Sequence, residues 1–287
     1  MEHLEDAIVA AKLAGKYLRE TYRKGNVQME FKSQKEIVTS ADKGAEKIIL
    51  DYLKEKYPTH KFISEESKTE DNDSDFVWYI DPLDGTTNFF YRIPYFNVSI
   101  ALEHKKRSFI GVVYDPINDE LFYAVKGAGA FLNAEKIHPN DNKNISQAFI
   151  SSCHGREKEQ IDIFLDLMKK FKHEAKDMRK LGSAALELCS VACGRSGAFI
   201  GYGTKPWDVK AGILIARESG CVVSGIFEDE METDEVLVSS PAIVDKVREI
   251  IKRKWNFFIL FYFALFFFLL FIFIILQNSF PLKLNVF

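Results

Sequence analysis

Cysteine is scarce in this chain. Its four cysteines, Cys153, Cys189, Cys193 and Cys221, form none of the close pairs that bind zinc or staple a small secreted fold. That excludes a disulfide-built scaffold, and with no N-terminal signal peptide the expectation is a reduced, cytoplasmic setting. Cys189 and Cys193 share a helical face and read as small core residues. An excess of positive charge is also missing: 38 Lys and Arg against 41 Asp and Glu leave a net charge of −3. No broad basic field is available to nucleic acid, so small-molecule partners are expected. Internal repeats and low-complexity segments are absent ahead of the C-terminal tail.

What the chain does have is length and one sharp break in composition. Its 287 residues can bury one large core or two ordinary ones. The loop-like stretch 138–144 marks a boundary between expected domains at 1–137 and 138–254. Beyond them, residues 257–276 carry no charge and are almost entirely Phe, Leu, Ile and Tyr. As a helix rising ~1.5 Å per residue they would be roughly 30 Å long, enough to cross a bilayer. Lys252, Arg253 and Lys254 would then hold the body on the cytoplasmic side. Two readings of 255–287 stand side by side: a transmembrane anchor, or the product of a frameshift or read-through of A/T-rich sequence.

The body is organised around Asp81-Pro82-Leu83-Asp84-Gly85-Thr86-Thr87-Asn88, which follows the apolar run Phe76-Val77-Trp78-Tyr79-Ile80. This reads as a buried strand ending in a tight turn. Pro82 cannot donate to a ladder and Gly85 permits a geometry that a side chain would block, so Asp81 and Asp84 flank one bend. Two carboxylates aimed at one volume repel unless a cation lies between them, and Thr86-Thr87 suits a helix start whose free N–H groups favour an anion. An Asp-Gly pair alone would be an ordinary surface turn; the strand before it and the threonines after it favour a site.

In chain order, Leu4, Ile8, Ala11, Leu13, Ala14 and Leu18 predict a first amphipathic helix to Lys24. Residues 31–38 read as a strand pair or mobile loop, and Thr39-Ser40 as the cap of a second helix with Asp42 in its first turn. Phe62-Ile63-Ser64 is a short strand delivering Glu65. Residues 97–102, 110–114 and 121–125 predict an antiparallel meander. Next come a strand at 148–150, a helix over 160–171, and a turn Leu181-Gly182-Ser183-Ala184 into a helix to Cys193. A strand at 198–200, a helix from Pro206-Trp207-Asp208 to Gly220, strands at 221–223 and 236–238, and a helix over 241–253 complete a layered α/β pattern.

Asp42, Glu65, Asp81, Asp84 and Asp208 each stand where a strand or turn meets a helix. Each alone has an ordinary explanation, Asp42 for instance as a dipole partner. Together they offer oxygen-only ligation, which selects Mg²⁺ or Mn²⁺ over Zn²⁺. Four segments carry a resemblance: Glu36-Ile37-Val38-Thr39-Ser40-Ala41-Asp42; Ser64-Glu65-Glu66-Ser67; 81–89; and Trp207-Asp208-Val209-Lys210-Ala211-Gly212 with Glu218-Ser219-Gly220. In this order and spacing the chain resembles the inositol monophosphatase family over residues 4–251. The resemblance implies an α/β/α/β/α sandwich, Mg²⁺-dependent hydrolysis of small phosphate monoesters, lithium sensitivity and a homodimer. It further implies that Glu65, Asp81 and the Leu83 carbonyl hold one Mg²⁺, and Asp81, Asp84 and Asp208 a second, with a third looser ion near Glu65. Thr86 with Asp42 would deprotonate the attacking water, and the N–H groups of Gly85 and Thr86 would hold the phosphate. Lys32 matches a basic loop residue near the family's site, though it reads equally as a solvated lysine.

Departures from the family pattern bear on substrate. Gly201 stands where inositol-preferring relatives often carry an acid, and Gly182-Ser183-Ala184 borders the sugar. Inositol 1-phosphate and fructose 1,6-bisphosphate are therefore both expected substrates, with 3′-phosphoadenosine 5′-phosphate or NADP as alternatives. Lys205 would lie near the pocket mouth and could meet a second phosphate, Lys210 is expected to face solvent, and His154 and His173 read as surface residues. A reading of another class is a membrane-tethered, non-catalytic binding protein.

Overall fold

The computed structural model describes residues 2–25, 28–33, 36–67, 72–227 and 234–253. Helix α1 (Glu2–Lys24) opens the chain, followed by an antiparallel pair, β1 (Met29–Ser33) and β2 (Glu36–Thr39). Helix α2 (Ser40–Lys56) then leads to β3 (Lys61–Ser64), β4 (Phe76–Asp84) and the one-turn helix α3 (Thr86–Phe90). A meander follows: β5 (Asn97–His104), β6 (Arg107–Asp115), β7 (Glu120–Val125), β8 (Gly129–Leu132) and β9 (Glu135–Lys136). Strands β3 to β9 make one seven-stranded sheet in sequence order, with only β3–β4 parallel.

The chain then alternates. Strand β10 (Phe149–His154), α4 (Lys158–Glu174), β11 (Asp177–Arg179), α5 (Ala184–Ala192) and β12 (Ala198–Tyr202) are succeeded by α6 (Pro206–Ser219), β13 (Val222–Ser224), β14 (Glu235–Ser239) and α7 (Val244–Lys252). The second sheet has the order β11-β10-β12-β14-β13, with β10 parallel to both its neighbours.

Three cores fix the layering. Helices α1 and α2 cover one face of the first sheet through Ala10, Ala14, Leu18, Ile49, Trp78 and Ile80. Helices α5 and α6 fill the space between the sheets, packing Leu188 and Ile215 with Val113 and Phe122 on one side and Phe199 and Val238 on the other. Helices α4 and α7 close the far face over Ile150, Phe171 and Ile250. The result is the α/β/α/β/α sandwich. Its middle layer is tight: a Cβ on Gly111 would stand 2.6 Å from the Ala211 carbonyl, so β6 and α6 touch backbone to backbone.

Residues 1–251 form one compact unit. The apolar stretch 257–276 lies outside the described residues, and among those described no helix is long and apolar enough to cross a membrane. Leu13, expected on the inner face of α1, is 45% exposed. The buried stripe is instead Ala7, Ala10, Ala11, Ala14 and Leu18, whose small side chains let the helix lie close to its neighbours and turn Leu13 outward. Strands β8, β9 and β11 were not visible in the sequence because they are short and carry little alternation; their ladders with longer neighbours define them.

Candidate active site

Strand β4 stays buried to its last residue and then breaks. Asp81 pairs with Ser99 and Asp84 with Asn97, so one residue too many is accommodated on β4 between them. Pro82 cannot donate there, and the bulge re-aims both aspartates. The Asp81 Oδ1 accepts from the Leu83 N–H at 3.0 Å, closing the bend. Gly85 has φ +102°, and a Cβ on it would meet the Tyr95 carbonyl at 2.9 Å, so glycine is required on both counts. The Asn88 amide then donates to the carbonyls of Tyr95 (2.9 Å) and Leu181 (2.8 Å), tying the turn to the link before α5.

Other elements bring further groups to this bend. Thr39 caps α2, and Asp42 in its first turn accepts at Oδ2 from the Thr39 N–H (2.8 Å) and hydroxyl (2.5 Å). That leaves Asp42 Oδ1 to accept from the Thr86 hydroxyl at 2.8 Å; the same hydroxyl lies 3.1 Å from the Leu83 carbonyl. Asp84 Oδ2 accepts from the Asn97 amide (3.0 Å), the Ser183 hydroxyl (2.7 Å) and the Ala185 N–H (2.8 Å). Asp208 is in the first turn of α6, with Oδ2 on the Lys205 N–H at 2.8 Å. Glu65 follows β3, its N–H donating to the Ile80 carbonyl at 3.2 Å.

These acids share one electrostatic environment. Burial, then Glu65, Asp84 and Asp208, hold the Asp81 carboxyl well above the usual carboxylate range. Burial raises Asp84 as well, against its three hydrogen-bond donors. Asp208 is pushed up to about 8, by burial first and then by Asp84 and Glu65. Burial also raises Asp42, with Glu65 adding to it. No three His, Cys, Asp or Glu side chains among the described residues are drawn into a preformed metal cage. The donor set nevertheless fits a hard divalent ion. Each of Asp81, Asp84 and Asp208 commits one oxygen to protein donors, and its other oxygen has no hydrogen-bond partner among the described residues. Ligating carboxylates are commonly oriented by such hydrogen bonds.

The structure thus brings Asp42, Asp81, Leu83, Asp84, Gly85, Thr86 and Ser183 into hydrogen-bonded or directly bonded contact, while Glu65 and Asp208 couple to them through charge. Gly182 and Ala184 flank Ser183, with Gly182 at φ +88° against the Asn88 amide. The Lys32 side chain lies outside the described residues. Two expectations are corrected. Lys210 does not face solvent: it pairs with the buried Glu103 of β5 and lies over the Tyr79 ring, 4.5 Å from its centroid. The reason is that α6 is covered by the first sheet on the side where Lys210 emerges. His154 is half-buried, its ring 4.4 Å from that of Phe164.

Sequence reasoning gave no role to Asn88, which it included in the bend, and passed over Asn97 and Glu187. Glu187 is fully buried on α5, its Oε1 accepting from the N–H groups of Leu181 (3.1 Å) and Gly182 (3.0 Å). Burial pushes its carboxyl up to about 8, and Oε2 has no hydrogen-bond partner among the described residues. A single acid inside the apolar run Ala184-Ala185-Leu186-Glu187-Leu188-Cys189 is the signal that would have found it.

A layered α/β sandwich with an oxygen-lined acidic bend at strand and helix ends is the framework of a metal-dependent phosphate-handling protein. The sequence profile of the inositol monophosphatase family matches residues 1–255, and the chain belongs to that family, whose members depend on metal ions. Among curated proteins it is 36% identical over 263 residues to the Nus factor SuhB of Escherichia coli K12, covering 87% of this chain and 98% of that one. It is 38% identical over 264 residues to the inositol monophosphatase of Dictyostelium discoideum, covering 88% and 96%. The native crystal structure of extragenic suppressor protein suhB from Bartonella henselae superposes with a TM-score of 0.85 at 33% identity, over 89% of this chain and all of that one.

Proposed function

We propose that the chain hydrolyses small phosphate monoesters, inositol 1-phosphate and fructose 1,6-bisphosphate foremost, by direct attack of water. Two or three Mg²⁺ ions, or Mn²⁺ in their place, would be held by Glu65, Asp81, the Leu83 carbonyl, Asp84 and Asp208. Bound there, the ions would acidify a water and offset the charge of the phosphate. The observation that carries this reading is the 2.8 Å hydrogen bond from the half-buried Thr86 hydroxyl to the fully buried Asp42. Thr86 takes a proton from the attacking water as its own passes to Asp42 Oδ1. Burial raises the basicity of Asp42, which suits a proton acceptor. The backbone N–H groups of Gly85 and Thr86 orient the phosphate in the bend, and no covalent intermediate on the protein is needed. The protein would act as a homodimer in the cytoplasm.

The test is phosphate release by the full chain with Mg²⁺ from inositol 1-phosphate, fructose 1,6-bisphosphate, 3′-phosphoadenosine 5′-phosphate and NADP, repeated with Asp84→Asn. Release from one of the first two that the substitution abolishes is expected; release unchanged by it would sink the assignment. A second reading has support in the Nus factor name of the Escherichia coli relative. A role as a binding factor requires no turnover, so absence of release from all four esters would favour it.

A further inference from the structure

The link between β11 and α5 carries two polar side chains that point to different tasks. Ser183, at its end, donates to Asp84. Lys180, at its start, is only three residues away, which limits the Cα separation to ~10 Å. Among the described residues the Lys180 ammonium has one hydrogen-bond partner, the Nε2 of His154 at 3.1 Å. The opposite ring nitrogen, Nδ1, lies 2.6 Å from the Gly155 carbonyl. A carbonyl only accepts, so Nδ1 carries the proton and Nε2 offers its lone pair to Lys180: the imidazole is neutral. The Phe164 ring packs against it at 4.4 Å, and the Gly155 N–H on the Tyr202 carbonyl at 2.7 Å pins the segment to β12.

Several other cations of this molecule pair with carboxylates. Arg179 and Lys172 both pair with Asp177, Arg195 with Glu120, and Lys210 with Glu103. Lys180, itself exposed, leans on an imidazole. Glu187, whose charge also acts on Lys180, spends one oxygen on the Leu181 and Gly182 N–H groups, and burial raises its carboxyl to about 8. Across from Cys153 in the sheet register is Gly201, which brings no carboxylate to this face. The Cys153 thiol itself lies within the fields of Asp84 and Asp208 as well as that of Lys180. The link is fastened to the acidic bend next to Lys180, the Leu181 carbonyl accepting from the Asn88 amide at 2.8 Å and Ser183 donating to Asp84, and it lies against the C-terminal end of β10, where sheets of this kind receive ligands.

We infer that Lys180, held in place by His154, receives a second phosphate of the substrate, so that the preferred class is a small bisphosphate, one ester lying at the acidic bend and the other on Lys180. This rests on the phosphatase reading above and narrows its substrate. His154 acts as a positioning residue: it fixes the ammonium without neutralising it, which a carboxylate in its place would not do.

The test compares kcat/KM for fructose 1,6-bisphosphate with that for fructose 1-phosphate, which lacks only the second group. The wild-type ratio should favour the bisphosphate by about tenfold or more, the scale of one charge-assisted hydrogen bond. Lys180→Met should bring the ratio close to one, mainly through KM, Lys180→Arg should retain most of it, and His154→Ala should lower it partway. A wild-type ratio at or below one, or a ratio that Lys180→Met leaves unchanged, would overturn the inference. If neither ester is cleaved the phosphatase reading fails. Calorimetric binding of fructose 1,6-bisphosphate to Asp84→Asn protein, with and without Lys180→Met, then still decides the contact: equal affinity in the two proteins would refute it.

Discussion

The Ser183 hydroxyl donates to Asp84 Oδ2 at 2.7 Å, spanning 99 positions in the chain. The same oxygen atom of Ser183 caps α5 by accepting from the Leu186 N–H at 3.4 Å. Ser183→Ala removes both bonds at once, together with the 2.8 Å bond that this oxygen accepts from the Asn97 amide. It should destabilise the fold by about 1–2 kcal/mol in chemical denaturation. It should also raise the Mg²⁺ concentration needed for half-maximal phosphate release, since Asp84 loses one of its three donors. A metal requirement identical to wild type would show that the contact serves stability alone.

Thr86→Val and Asp42→Asn interrupt the same proton path at its two ends. Each is expected to lower kcat by roughly 10²- to 10⁴-fold with a much smaller change in KM. Because the two act in series, the double variant should be little worse than either single one. Multiplying losses in a steady-state double-mutant cycle would place the two residues in separate roles.

Removal of metal should leave a protein whose stability depends on the charge of its buried acids. In the folded state Asp81, Asp84 and Asp208 are all raised above 3.8. A raised carboxylate stabilises the fold below its unfolded value and loses that contribution as the pH rises through the folded one, reaching about 8 for Asp208. With chelator present, the melting temperature should therefore be higher near about pH 5 than near about pH 8. Asp84→Asn should melt above wild type near neutrality by about 1–2 kcal/mol of stability, because it removes one of the repelling charges. Saturating Mg²⁺ should raise the wild type more than the variant. Thermal melts over a pH series, with and without the ion, check all three statements.

Glu187→Gln tests a carboxyl outside the metal-binding set. Glu187 is raised from 4.5 to about 8 by burial, so its favourable contribution fades as pH climbs from the lower value to the higher. The amide keeps an acceptor for the Leu181 and Gly182 N–H groups and carries no charge at any pH. The variant should match wild type near about pH 5 and exceed its stability by on the order of a few kcal/mol near about pH 8. Glu187→Ala should be the destabilised counterpart, leaving two partly buried N–H groups without their carboxylate acceptor. Parallel pH dependences for wild type and the glutamine variant would refute the protonated state assigned to Glu187.

The helices and the main meander could be read from the sequence because their signals are local. Thr39 followed three residues later by Asp42 announces a capped helix start, and Gly220 ends α6 at φ +100° as a glycine after an apolar helix should. What stayed hidden is set by distant neighbours. The spacing along α6 separates Lys210 from Asp208 but does not show that Glu103 of β5 lies on that side. The antiparallel insertion of β14 beside β12 depends on pairing across a gap of more than thirty residues, for which a single strand carries no mark. The acids themselves were visible as a list; that Ser183, Asn97 and the Ala185 N–H converge on Asp84 emerges only from the fold.

The acidic bend is also where three helices besides α3 begin. Asp42 lies in the first turn of α2, Asp208 in the first turn of α6, and the first-turn N–H of Ala185 in α5 points at Asp84. Those helix starts come from the outer and the central layers of the sandwich, so their positive dipole ends form a shared joint around the carboxylates. A change of charge at that joint is felt simultaneously by both layers. Charging or discharging the bend is in this sense a tightening or loosening of the whole N-terminal seam of the molecule, and hydrogen exchange at the first turns of α2, α5 and α6 should rise and fall together as the charge changes.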